Sequence, residues 1–196
     1  MLNVLQTAVF APVQDITRAM GHTIFTASEV YDWCHDLLSD EQKKQIVILC
    51  EDIGAQMEIG WPPVKQGAVS GHGSEAQLMR DLLALSIAAY DEYPDMYQMI
   101  AGRLLSEYLE PRNFYYQSHT WHQGTSYNPY RIEAGMWMNY LFKVLCGADV
   151  LCEEQAQMLY SQLYMRRPDG QMLREGDVME NTGKGVYWTQ ARGPLF

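Results

Sequence analysis

The sequence predicts an all-α protein built of stacked helical hairpins, with an irregular C-terminal tail. Three observations predict it. Apolar residues recur at three- and four-residue spacing through most of the chain. Two capping-box signals, Thr26–Glu29 and Ser39–Gln42, stand directly ahead of such runs. Gly/Pro-rich stretches such as "GWPPVKQGAVSGHG" punctuate them.

The elements follow in order. Thr26-Ala-Ser-Glu29 caps "VYDWCHDLL", and Ser39-Asp-Glu-Gln42 caps "KKQIVILCEDIGAQMEI", whose Ile46, Leu49, Cys50 and Ile53 share a face. Residues 60–73 are a loop. A helix runs from about Ser74 to Asp91, with Leu78, Leu82, Leu85 and Ala89 as its stripe, widened by Leu83 and Ile87. Pro94 opens the next helix, which carries Met96, Ile100, Leu104 and Leu105 and stops before Pro111. Residues 112–129, "RNFYYQSHTWHQGTSYNP", lack a helical period and read as a long polar-aromatic loop. Loops of that length are often functional. Helix returns at about Tyr130–Leu145 and Glu153–Met165. The tail is rich in turn residues, with "VYW" as a candidate short strand.

The chain has 196 residues, enough for a single domain over 1–196 with a sizeable core. At 47% hydrophobic and 19% charged it is globular in composition. No run of eighteen apolar residues marks a membrane span. The N-terminus lacks the basic stretch of a signal peptide. A net charge of −10 argues against nucleic acid as a partner. An oligomer is compatible with the sequence. Cys34, Cys50, Cys146 and Cys152 form no CxxC pair and read as buried free thiols.

Three histidines fall in the two irregular segments: His72, His119 and His122. Glu75 follows His72 at i+3, so on a helix the two share a face. Read alone, "SGHGSEAQ" is a helix start capped by Ser74 with His72 exposed, or a proton-transfer group at a helix mouth that favours an anion. His119 and His122 also stand at i,i+3, but no zinc pattern accompanies them. In "QGTSYNPYR", Pro129 biases Asn128 away from helix, which puts Tyr127 just before the next one. Tyr115, Tyr116, Trp121 and Tyr130 suit either core or a platform for sugar rings. Arg131 suits either solvent or a carboxylate or sulfate clamp.

Taken together, "GHGSEAQLMRDLLALSIAAYDEYPDMY" and "QGTSYNPYRIEAGMW" resemble the helical catalytic domain of the heparinase II/III family of polysaccharide lyases, on the heparinase II side. The spacing of that family's catalytic histidine and tyrosine matches His72 and Tyr127. Its glutamate matches Glu75 and its arginine Arg131. The resemblance covers essentially the whole chain. It implies a partial (α/α) toroid, its middle and later part. The first helices, the β-sandwich domains, a further catalytic histidine and a structural zinc would lie outside this stretch. No cofactor is expected in this chain, and the stretch alone is expected to be inactive. The full-length protein is expected to be periplasmic or secreted.

The chemistry implied is β-elimination from an acidic, uronate-containing polysaccharide. The uronate carboxylate must be neutralised, the C5 proton removed and O4 protonated. Similarity assigns Tyr127 as acid to O4 and as base for one C5 epimer. It assigns His72 as base for the other, with Glu75 against the carboxylate. Arg131 is the nearest cation in sequence; His119, His122, Trp121 and Asn128 would bind substrate. An ordinary tyrosine has a pKa of about 10, so as a base it needs activation. The acidic composition suits heparan-like or other sparsely sulfated uronates as well as heparin. Two alternatives differ in class. A glycoside hydrolase would pair Glu75 with Asp177 or Glu180. A non-catalytic module would hold sugar on Trp61, Trp121 and the tyrosines.

Overall fold

The computed structural model describes residues 1–10, 16–57, 77–120, 124, 127–174 and 176. The described residues are mostly helical and contain no strand, only the isolated bridges Gly124–Gly176 and Arg166–Met172. The chain forms two compact units, Met1–Ser106 and Glu107–Phe196.

The first unit holds α1 (Leu2–Thr7), α2 (Ile16–Trp33), a 3-10 turn (His35–Leu37) and α3 (Asp40–Ala55). A π-helical stretch, Gln77–Leu82, then runs into α4 (Leu83–Ala88), and α5 (Pro94–Arg103) follows. α2 is the centre: it packs on α3, on the π-helical stretch and on α4. Its buried residues Met20, Ile24, Ala27 and Tyr31 recur every three or four positions. Ile46, Cys50 and Ile53 face them from α3, and Leu82, Leu83, Leu85 and Ala89 from the α4 side. Fully burying such a side chain contributes about 1.5–3 kcal/mol.

The Ser39 cap forms as the sequence predicts. Its hydroxyl accepts from the Gln42 amide at 3.3 Å, and Gln42 accepts from the Ser39 amide at 2.9 Å. The Thr26 cap does not form, because α2 runs straight through it. Burial of Met20, Ile24, Ala27 and Tyr31 along one continuous stripe outweighs the local start signal. Ser28, within the same stretch, donates its hydroxyl back to the Phe25 carbonyl at 2.7 Å.

The helix expected to stop before Pro111 does not. After α5 comes a π-helical stretch, Leu104–Tyr108, and then α6, Leu109–Tyr116. The wider π turn resets the hydrogen-bonding frame, so Pro111 becomes the third residue of a new α-helix. There its missing N–H would have had no partner inside the helix. The start of the expected 112–129 loop, Arg112 to Tyr116, is therefore helix, as are Asn128 and Pro129 at its end, while 117–120 are turn and bend.

The second unit continues with α7 (Asn128–Cys146), a 3-10 turn (Glu153–Gln157) and α8 (Met158–Tyr164). Asn128 is helical despite Pro129, which occupies the second position, where no N–H is needed. α7 ends on Gly147 at φ 70°, with Gly147 N–H on the Lys143 carbonyl and Ala148 N–H on Phe142. That double bond pattern requires a left-handed residue, hence glycine. Two asparagines peg the following loop. Asn139 accepts from the amides of Val150 and Leu151, at 2.7 and 3.2 Å. Asn113 accepts from the Cys152 amide at 3.1 Å and from the Gln155 side chain at 2.6 Å. Tyr116 and Met158 form a buried pair, with Ile132 and Cys152 packed on it.

The cysteines differ from the expectation of four buried thiols. Only Cys50 is buried; Cys34 and Cys152 are half-buried and Cys146 is exposed at the end of α7. Burial pushes the Cys50 thiol up to about 12. Thiol titration at neutral pH should modify Cys146 first and Cys50 only on unfolding. Modification of Cys50 at the rate of Cys146 would contradict this packing.

Gly21 permits a close approach within the first unit. A Cβ there would fall onto the carboxylate of Asp81, a buried residue of the π-helical stretch. Burial raises the Asp81 carboxyl, opposed by Arg80, whose Nε lies 2.7 Å away. Gly21→Ala should therefore destabilise the protein by roughly 1–3 kcal/mol. The midpoint of urea unfolding reads this; an unchanged or higher midpoint would rule the contact out.

Candidate functional site

Of the site residues named from the sequence, Tyr127 and Arg131 come together. Tyr127 precedes α7 directly, as expected, and is half-buried. Its amide donates to the Gly124 carbonyl at 3.2 Å, where Gly124 adopts φ 92°. Its own carbonyl accepts from the Arg131 amide at 3.1 Å, so the two residues are one helical turn apart. The Arg131 guanidinium carbon lies 5.8 Å from the Tyr127 ring centroid, within cation–π range. Arg131 is buried, at 4% exposure, rather than reaching into solvent.

His119 sits in the bend after α6, with its amide on the Tyr116 carbonyl at 2.9 Å. Its φ of 60° is left-handed, a conformation rare outside glycine but several-fold enriched in histidine. His119 is the smallest of the influences that hold the Glu154 carboxyl below the usual range. The causes are the Glu154 backbone amide first, then Cys152, then His119. Asn128 is the first residue of α7. His72, Glu75, Trp121 and His122 lie outside the described residues. So do Trp61, Asp177, Glu180, the 60–73 loop and the "VYW" segment. Among the described residues, no three His, Cys, Asp or Glu side chains come together as a metal ion requires.

Sequence reasoning missed the residue that organises this corner. Arg112 of α6 is buried, at 2% exposure. Its guanidinium donates to the Arg131 carbonyl and lies 4.7 Å from the centroid of the Tyr116 ring. It can reach that carbonyl because residue 135, one turn further along α7, is glycine. A Cβ on Gly135 would collide with the Arg112 guanidinium. The Arg131 carbonyl therefore accepts from a side chain where most helices would place a methyl group. α6 and the first two turns of α7 are thereby fixed to each other, and Tyr127 and Arg131 with them. "RNFYYQ" offered only a polar-aromatic composition, and nothing local linked Arg112 to a glycine 23 positions on (135 − 112).

The contact makes a prediction whose sign depends on background. Gly135→Ala alone should destabilise by roughly 1–3 kcal/mol through overpacking. In an Arg112→Ala background the same change should instead stabilise, by up to about 1 kcal/mol, because helix propensity is all that remains. Additive effects in a double-mutant cycle would show that the two residues do not meet. No protein-family model and no curated protein matches the sequence.

Proposed function

We propose that this chain is part of the helical catalytic domain of a uronate-polysaccharide lyase, of the heparinase II/III type. Its helices would then be a segment of an (α/α) toroid, and its substrate a heparan-like glycosaminoglycan or a related uronate polymer. The full-length protein would meet that polymer in the periplasm or outside the cell. The observation that carries the reading is Tyr127 at the head of α7 with the Arg131 guanidinium against its ring. It is supported by the register of His72, Glu75, Tyr127 and Arg131 in the sequence.

The reaction breaks the C5–H and C4–O4 bonds of the sugar and forms the C4–C5 double bond. Tyr127 protonates the departing O4, and removes the C5 proton when that proton lies on its own side. His72 serves as base for the opposite epimer. Glu75 lies against the uronate carboxylate; two carboxylates in contact cannot both stay ionised, so one holds a proton or borrows a cation. Arg131, being buried, acts through Tyr127: it fixes the ring with its charge, and Arg112 fixes Arg131 in turn.

The test is elimination by the full-length gene product on a panel of uronate polysaccharides, followed by the ultraviolet absorbance of the unsaturated uronate. Tyr127→Phe should lower the rate by at least about 10²-fold, the usual weight of a positioned acid or base. A Tyr127→Phe protein that retains full elimination activity would sink the assignment. Products without that absorbance would point to hydrolysis instead.

A further inference from the structure

The first unit carries a cluster of ionisable groups that the proposed chemistry leaves unused. His35 opens the 3-10 turn after α2. Its Nε2 lies 2.7 Å from the Glu92 carboxylate, in the turn between α4 and α5. Its Nδ1 has two neighbours, Lys43 Nζ of α3 at 3.4 Å and Asp36 Oδ1 of its own turn at 3.5 Å. Lys43 Nζ also stands 3.5 Å from Glu92. From α2, the Tyr31 ring lies 5.8 Å away, centroid to centroid, tilted by 55°. Thus Tyr31, Asp36, Lys43 and Glu92 face the imidazole from four segments of chain.

The two ring nitrogens cannot keep the same partners in both protonation states. A neutral ring with its hydrogen on Nε2 donates to Glu92 and accepts from the Lys43 ammonium at Nδ1. A charged ring has a donor on each nitrogen. Nδ1–H then faces an ammonium it cannot bond to, and the Asp36 carboxylate is the acceptor within reach. We propose that His35 is a proton-operated partner switch. Neutral, it bridges Lys43 on α3 to Glu92; charged, it releases Lys43 and pairs with Asp36 while keeping Glu92.

The surroundings suit such a device. Lys43 is only 12% exposed and Glu92 32%, whereas Asp36 is fully exposed, so the exchange moves the Nδ1 bond from a sheltered partner to one in open water. Glu92 also lines a cavity of about 370 Å³ with Glu51, Tyr93, Asp95 and Met99, so the switch alters the charge at the edge of that cavity. The Glu92 hydrogen bond raises the His35 pKa above its ordinary value; partial burial and Lys43 oppose, and Asp36 adds. The switch point therefore lies above the ordinary histidine value of about 6.5. The clamp of charged His35 on Glu92 is fully present below that value and is lost as pH rises through the folded pKa.

Long-range proton–nitrogen NMR of the 196-residue chain reads both ring nitrogens through a pH titration. Above the transition the Nε2–H tautomer should dominate. Lys43→Met should move the midpoint up, and Asp36→Asn should move it down. Glu92→Gln should move it down furthest. An Nδ1–H tautomer in the neutral protein would overturn the switch, as would a Lys43→Met midpoint that stays put or falls. Asp36 is fully exposed, so Asp36→Asn keeps the test decisive even if Glu92→Gln fails to fold; a midpoint unmoved by it would show that Asp36 is not the second partner. None of these readouts involves the lyase reading, so either can fail alone.

Discussion

A guanidinium buried over a helical glycine is the constraint on which the second unit depends. Removing a cation from water costs several kcal/mol unless it finds partners. Arg112 meets the Arg131 carbonyl and the face of Tyr116, and it can do so only because Gly135 leaves the space open. The arrangement cannot slide. A shift of one residue along α7 would bring a side chain where the glycine is. A charge that tolerates only one register is a stronger positional constraint than apolar packing, which accepts many near-equivalent solutions. Arg131 inherits that register because it lies in the turns of α7 that Arg112 holds, and Tyr127 does because it caps the first of them.

The π-helical stretches play a comparable role in the backbone. Each inserts an extra residue into a helical turn and changes what the next residues face. At Gln77–Leu82 the outcome is a carboxylate, Asp81, buried against Gly21 of α2. At Leu104–Tyr108 the outcome is that the chain passes Pro111 as a helix and carries Arg112 and Asn113 inward at its start. Asn113 then collects Cys152 and Gln155, and Asn139 of α7 collects Val150 and Leu151. The loop between α7 and the 3-10 turn at Glu153–Gln157 is thus fastened by side-chain amides that copy backbone partners. Such a loop needs no apolar anchor of its own.

What was legible in the sequence was periodic or local. The stripe Ile46, Cys50, Ile53 and the Ser39–Gln42 cap could be read because both depend on neighbours within one or two turns. Tyr127 does stand just ahead of the helix, but not for the reason read from Pro129, since Asn128 is itself helical. Thr26–Glu29 shows the limit of a local signal: the cap was available, but burial along α2 used the same residues as helix interior. The pairs that position side chains were not legible. Arg112 with Gly135, Asp81 with Gly21 and His35 with Glu92 are each separated by 23 to 60 positions (112 to 135; 21 to 81). Nothing in the composition of either partner announces the other. In the candidate site, Arg131 was readable as a residue but not as a buried one, since burial of a charge depends on Tyr127, Arg112 and the rest of the corner together.

That burial bears on what the chain could bind. The sequence holds 14 basic and 24 acidic residues. Arg103, Arg112 and Arg131 are buried, so three of the 14 cannot touch a bound polymer directly. Lys43 is directed at Glu92, Lys143 at Asp149 and Arg167 at Asp169. Each of those pairs takes up one acid as well as one base, so they leave the net charge unchanged but reduce the cations available for direct contact. A densely sulfated polymer needs many exposed cations in a row, because each sulfate must be neutralised locally. A polymer whose charge is mainly one carboxylate per repeat asks for far less. Under the proposed lyase reading, arginines held inside the fold are not available to sulfates, which favours the less sulfated uronates as the proposed substrate.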